Sequence, residues 1–312
     1  MELGFAVPQS GSWATPDNLR LTATRAEELG YRSLWTFQRL LYPADPGRAE
    51  EPARWPDVYR SVLDPLTVLG FLAAATTRVR LGIAVLNLPF FSPPLLAKQA
   101  ATLDVLSGGR LDLGLGLGWA AEEYAATGAD RSQRGQRAEE FIHTLKLLFA
   151  EESADFTGRF YTLPGVRLDP KPIQQPHPPI LLGGTAEVAL RRAGRVADGW
   201  ISSSGQDLTS MKQAADVVRT AAAEAGRDPE RLRVICRGVV RVRPPGATER
   251  RMLSGSWAEI RDDLARLAGQ GVTETFLDLN FDREVGSPQA DPQRSLDRAL
   301  QALVELRPQT WH

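Results

Sequence analysis

The segment whose residue types point most directly to chemistry is Ile180-Leu181-Leu182-Gly183-Gly184-Thr185. An apolar run ends in a glycine pair and a threonine, and helical periodicity begins at Ala186. Glycines let the backbone approach an anion closely, and the first N–H groups of a helix, its dipole and a hydroxyl can all face that anion. A tight strand-to-helix turn capped by Thr185 would produce the same letters. A second segment, Leu113-Gly114-Leu115-Gly116-Leu117-Gly118-Trp119, alternates glycines strictly. It lacks the G-x-G-x-x-G spacing of a dinucleotide fingerprint. Gly116 and Gly118 therefore read as points where backbone packs against a ligand ring or a neighbouring strand. Trp119 either walls a pocket or packs on its own helix. Third, Gln38 and Arg39 open a loop over residues 36–60 that also holds Tyr42, Trp55 and Tyr59. A guanidinium there suits an anionic substrate or cofactor tail, with a solvent-facing arginine as the plainer reading.

Other chemistries find no support. His143 lies mid-helix, His177 between prolines and His312 at the terminus, with no H-E-x-x-H spacing. There is no Gly-x-Ser-x-Gly elbow and no Walker Gly-Lys-Ser/Thr. No metal site is expected.

The elements that must position these residues alternate strand and helix. Strands are expected at 3–7, 31–35, 79–85, 111–115, 180–182, 199–201, 232–242 and 272–279. Between them fall helices, including 95–106, 134–149, 186–193, 208–225 and a closing one at 288–306, with a β-like excursion at 156–161. Thr15-Pro16 and Ser256-Trp257-Ala258-Glu259 carry helix-start signals. Strands read as nearly continuous apolar runs belong to parallel sheets covered by helices. An open doubly wound sheet would give the same local signal. Eight units in 312 residues without a domain linker favour a closed (β/α)₈ TIM barrel, a single domain spanning 1–312 with the 36–60 loop over its active site.

Net charge is −1, which gives no pull toward nucleic acid or an anionic membrane. The one cysteine, Cys236, cannot close a disulfide within the chain. No signal peptide and no apolar run of spanning length is read, so a cytoplasmic protein acting on a small-molecule substrate is expected.

In order, the pieces 29–35, 78–82, 109–119, Glu122-Glu123-Tyr124, 134–140, 156–161, Pro170-Lys171-Pro172, 176–184 and Ala197-Asp198-Gly199-Trp200 resemble the luciferase-like superfamily of flavin monooxygenases and F420-dependent oxidoreductases. The F420-dependent branch is the most similar. The resemblance implies a TIM barrel binding coenzyme F420, or alternatively FMN, at its C-terminal face. It implies a cis non-prolyl bond near Ala84-Val85 behind the cofactor ring. Gly183, Gly184 and Thr185 would hold the cofactor phosphate, and Gly116, Gly118 and Trp119 would lie near the ring. Relatives typically read Val-Pro-Asp-His after the strand-two tryptophan, whereas this chain reads Thr36-Phe37-Gln38-Arg39. A guanidinium stays protonated, so Arg39 is expected to stabilise an anion rather than act as a base. Hydride transfer with a small organic substrate is the expected reaction, with FMN-dependent monooxygenation or a non-catalytic cofactor-binding barrel as alternatives. Relatives also imply a homodimer or higher oligomer.

Overall fold

Apolar runs flanked by glycine and proline fold here into eight barrel strands separated by helices, as a computed structural model describing residues 1–246 and 250–308 shows. The barrel strands are β1 (Glu2–Ala6), β2 (Ser33–Thr36), β3 (Arg80–Ile83), β4 (Leu111–Gly116), β5 (Ile180–Gly183), β6 (Gly199–Ile201), β7 (Arg233–Val239) and β8 (Glu274–Asp278). All pair in parallel with their neighbours, and β1 joins β8 while β3 joins β4. The sheet is therefore a closed eight-stranded barrel, and the open doubly wound alternative is excluded. The helices are α1 (Pro16–Glu28), α2 (Pro65–Ala75), α3 (Pro93–Leu106), α4 (Ala121–Thr127), α5 (Arg134–Ala150), α6 (Glu187–Val196), α7 (Met211–Glu224), α8 (Trp257–Ala268), α9 (Arg283–Gly286) and α10 (Pro292–Glu305).

Helix starts follow local rules. Thr15 accepts a hydrogen bond from the Asn18 N–H ahead of Pro16, Asp64 accepts from Thr67 ahead of Pro65, and Ser256 and Glu259 form a reciprocal capping box. The closing helix begins at Pro292 rather than 288, because Asp291 caps it and residues 287–290 form a turn after α9. The 156–161 excursion is the tip of an antiparallel hairpin, Ala154–Thr157 with Thr162–Val166. His312 lies outside the described residues.

Inside the barrel, alternate residues of β7 and β8 stack in three levels. At the N-terminal floor, Asp112 accepts from Arg80 (2.6 and 3.0 Å) and Arg233 (2.7 and 3.0 Å), and Arg233 also reaches Glu274 at 2.9 Å. Glu274 accepts in turn from Trp35 Nε1 at 2.9 Å. In the middle, Trp35 stacks on Phe276 at 4.9 Å, among Ala6, Leu181, Ile201 and Ile235. Gly82 makes room for it, since a Cβ there would lie 2.5 Å from the indole. Arg237 and Asp278 form the upper level, at the mouth.

The floor yields a prediction. Burial alone raises the Asp112 carboxyl, but Arg233 and Arg80 outweigh it and hold the group below the usual carboxylate value. Its stabilisation is therefore complete above about pH 4, the unfolded value, and is lost as pH falls through the depressed one. Asp112→Asn removes the buried carboxylate that Arg80 and Arg233 share, leaving Arg233 only Glu274, and should cost about 3 kcal/mol. A lower urea midpoint at pH 7, together with an acid-side decline shallower than the parent's, is the expected result.

Candidate active site at the barrel mouth

Strand β3 stops at Ile83, and the next peptide, Ala84–Val85, is cis. The chain then resumes pairing with β4 at Leu86 and Asn87. The alternating glycines of β4 make this possible. A Cβ on Gly114 would sit 1.8 Å from the Ile83 carbonyl oxygen, and one on Gly116 would sit 2.5 Å from Val85 Cγ2. The glycine run thus serves close packing against a neighbouring strand. Gly118 adopts φ +69° beneath Asn87 and Tyr124, and its carbonyl accepts from Arg134 Nη1 at 3.0 Å.

A buried cation braces the bulge. Arg237 Nη1 donates to the Ala84 carbonyl at 3.1 Å, and its Nε donates to Asp278 at 2.7 Å. Asp278 also accepts from the Asn280 amide and side chain. Phe281 and Phe37 lie 4.4 and 5.0 Å from the guanidinium carbon. Gln38 is buried, and its Oε1 accepts from the Asn87 N–H at 2.8 Å, which ties the start of the long loop to the strand beyond the bulge.

Residues 36–60 form a lid built from three short 3₁₀ turns. Arg39 does not face solvent. Its Nη1 lies 3.0 Å from Glu123 Oε2, and both side chains are buried, 6% and 0% exposed. Glu123 Oε1 accepts from the Leu40 and Leu41 N–H groups. Tyr59, Trp119 and Trp55 stand 4.7, 4.8 and 5.2 Å from the guanidinium carbon. Trp119 therefore packs against the lid rather than on its own helix, and Arg54 also lies on it at 4.4 Å. Further out, Arg131 pairs with Glu50 of the lid.

Gly183, Gly184 and Thr185 end β5 beside the bulge. A Cβ on Gly183 would lie 3.1 Å from Val85 Cγ1, and one on Gly184 would lie 2.6 Å from the Ala189 Cβ. Gly184 adopts φ +149°, where a side chain is strained. Thr185 is not the helix cap. Ala186 is, and it has no side-chain oxygen to offer. The Thr185 and Ala186 N–H groups find no acceptor among the described residues, and Thr185 is exposed. Trp200 Nε1 donates to the Gly184 carbonyl at 2.8 Å. In the planar trans peptide the Thr185 N–H points the opposite way, out of the strand end.

The profile of the luciferase-like monooxygenase family matches residues 3–271. The chain belongs to that family. An uncharacterised protein of Mycobacterium tuberculosis is 32% identical over 290 residues, 91% of this chain and 92% of that one. The FMNH2-dependent dimethylsulfone monooxygenase of Pseudomonas putida is 37% identical over 166 residues, 52% of this chain and 45% of that one. In fold, an F420-dependent secondary alcohol dehydrogenase solved with an F420–acetone adduct superposes with a TM-score of 0.77 at 18% identity, covering 98% and 99% of the two chains. Members of the family are oxidoreductases, and this chain is a luciferase-like oxidoreductase.

Of the residues read from sequence, Ala84, Val85, Gly116 and Gly183 come together at one point, and Gly118 and Gly184 flank it. Arg39 and Trp119 meet in the lid, and Gln38 lies behind the bulge. Sequence reading missed Arg237, Asp278 and Asn280, and it gave Glu123 no partner. Inward alternation along β7 and β8, Arg-x-Ile-x-Arg beside Glu-x-Phe-x-Asp, is the signal that was there to find.

Glu123→Gln leaves Arg39 buried without a counter-ion. The variant should lose about 3 kcal/mol, and limited proteolysis within residues 43–54 should speed up several-fold while barrel circular dichroism stays unchanged.

Proposed function

We propose that this protein is an F420-dependent oxidoreductase that moves a hydride between the deazaflavin and a small organic substrate at the barrel mouth. The observation that carries the reading is one contact. Val85, in the cis bulge, touches both Gly116 and Gly183, so a platform for a flat ring and a Cβ-free anion turn stand on adjacent strand ends. The unpaired N–H groups of Thr185 and Ala186 beside that platform fit the phosphate. When bound, the deazaflavin supplies two-electron hydride chemistry, and the barrel supplies placement and field.

In this reading the chain's own groups divide the work. Thr185 and Ala186 donate to the phosphate. Trp200 orients the turn through the Gly184 carbonyl, and Gln38 and Arg237 fix the two ends of the bulge. The lid excludes water with Trp55, Tyr59 and Trp119. Arg39 and Arg237 act by charge and hydrogen bonding. The choice of F420 is supported by the rim beside Gly118, where Arg131 and Arg137 pair with Glu50 and Asp130 and Arg134 is left over. Arg134 has no carboxylate partner among the described residues. F420 extends an acidic tail past its phosphate, which such a rim suits.

FMN is the second reading, favoured by the 37% identity to an FMNH2-dependent monooxygenase over half the chain. Absorbance titration of the purified protein decides between them. Tight F420 binding is expected, and tight binding of FMN alone would overturn the choice.

Two variants test the anion turn. Gly184→Asp places a carboxylate and a strained φ at the phosphate and should weaken either cofactor at least tenfold. Trp200→Phe keeps the ring and removes one donor, so FMN should lose about fivefold to tenfold in affinity while phosphate-free riboflavin changes little. Equal losses for FMN and riboflavin would remove the phosphate assignment.

A further inference from the structure

We propose that the cavity between α9 and α10 is a binding site for a small dianion, a ligand with two phosphate or carboxylate groups and no aromatic ring. The cofactor reading plays no part in it.

The cavity holds about 490 Å³ and lies beyond the C-terminal end of β8. That volume is within the range of small-molecule sites. Its walls are tied together. Ser295 Oγ of α10 donates to the Val285 carbonyl of α9 at 2.9 Å, and Ser12 Oγ in the loop after β1 donates to the Ala290 carbonyl at 2.6 Å.

Three guanidinia line this space, Arg283 from α9 and Arg294 and Arg298 from α10. The last two are four residues apart, so they share one helix face with Cβ atoms about 5–6 Å apart. None of the three side chains has a carboxylate or a hydrogen-bond partner among the described residues, whereas the nearby Arg243 and Arg261 hold Asp282 at 2.7 Å and Glu305 at 3.2 Å. The acids of the wall are already engaged. Asp282 accepts from Arg243 at 2.7 and 2.8 Å, and Glu284 faces the same guanidinium at 3.3 Å. Asp291 accepts from the Arg294 backbone N–H at 2.7 Å as the cap of α10. Gln289 adds further donors. Its Oε1 accepts from Ser287 Oγ, and its NH₂ group has no acceptor among the described residues. The cavity thus presents donors without acceptors, and its four guanidinia outnumber its three carboxylates.

Chemistry narrows the ligand. Guanidinium forks match the paired oxygens of phosphate and carboxylate groups. Two forks on one helix face and a third on the adjoining helix suit a ligand whose two anionic groups lie a few bonds apart. No aromatic ring lines the cavity among the described residues, so it offers no stacking surface to a nucleobase or a flavin.

Isothermal titration of the full chain at one low ionic strength tests the site, with pyrophosphate, citrate and acetate as probes. Pyrophosphate or citrate should bind at least about tenfold more tightly than acetate. Either result supports the site, and the tighter of the two shows whether phosphate or carboxylate oxygens are preferred. Arg294→Gln combined with Arg298→Gln should weaken that binding about tenfold or more, with circular dichroism unchanged. Arg78→Gln combined with Arg231→Gln removes the same charge from two exposed positions elsewhere. That control should change affinity by less than about twofold. Gly184→Asp should leave the titration unchanged, because the turn after β5 takes no part in the cavity. No saturable binding, acetate binding as tightly as the dianions, or equal losses in the two double variants would overturn the proposal. So would binding that is lost in Gly184→Asp and kept without Arg294 and Arg298.

Discussion

Burying Arg237 at the barrel mouth obliges the surrounding chain to supply every partner its charge needs, because water cannot. Asp278 supplies the counter-charge and the Ala84 carbonyl takes a further N–H. Asp278 must then be held, and the Asn280 amide and side chain do so. Asn280 in turn donates to the Val7 carbonyl and accepts from the Gln9 N–H, which fastens the loop after β1 to the loop after β8. One buried cation thus sets the positions of β1, β3, β7 and β8 where they open onto the site. The floor repeats the device with Asp112 and Glu274 between Arg80 and Arg233, so the aromatic middle layer is clamped between two charged ones. A purely apolar filling would pack as well, but it would fix neither the bulge nor the Trp35 indole, whose N–H is spoken for by Glu274.

Close approach is the second constraint, and glycine satisfies it. The bulged strand can lie on β4 only because Gly114 and Gly116 have no side chains, and the turn after β5 can lie against the bulge only because Gly183 has none. The alternation that looked like a failed dinucleotide motif is therefore a record of backbone packing against β3. Trp200 completes the arrangement from the next strand. Its motif Ala197-Asp198-Gly199-Trp200 holds both ends of β5, with the Asp198 carboxylate accepting from the Ile180 N–H at 2.8 Å and the indole donating to the Gly184 carbonyl at 2.8 Å.

What could be read from the chain beforehand divides along the same lines. Strand and helix order, the capped helix starts and the glycine turns are written in residues a few positions apart, and local rules recover them. The Ala84–Val85 cis bond was reached through family resemblance, since no local pattern announces it. The polar contacts at the mouth were not legible, because their partners are distant in sequence: Arg39 and Glu123 are 84 residues apart, Arg237 and Asp278 are 41 apart, and Arg237 and the Ala84 carbonyl are 153 apart. Taken alone, an arginine at the head of a long polar loop looks like a surface residue. Closing the barrel brings α4 under that loop, and the same arginine becomes the best-enclosed cation of the lid. Thr185 failed as a cap for a related reason. The helix starts one residue later than its capping signal indicates, and the hydroxyl is left toward solvent.

The replacement of a titratable residue by Arg39 changes what kind of help the mouth can give. A histidine at this position could pass a proton; a guanidinium offers a fixed fork of donors and no acceptor. What Arg39 retains is direction. Glu123 fixes one edge of the guanidinium, the three rings fix its plane, and the remaining Nε–H has a set orientation before anything binds. Pre-set donors cost no reorganisation when charge develops beside them, whereas mobile ones do.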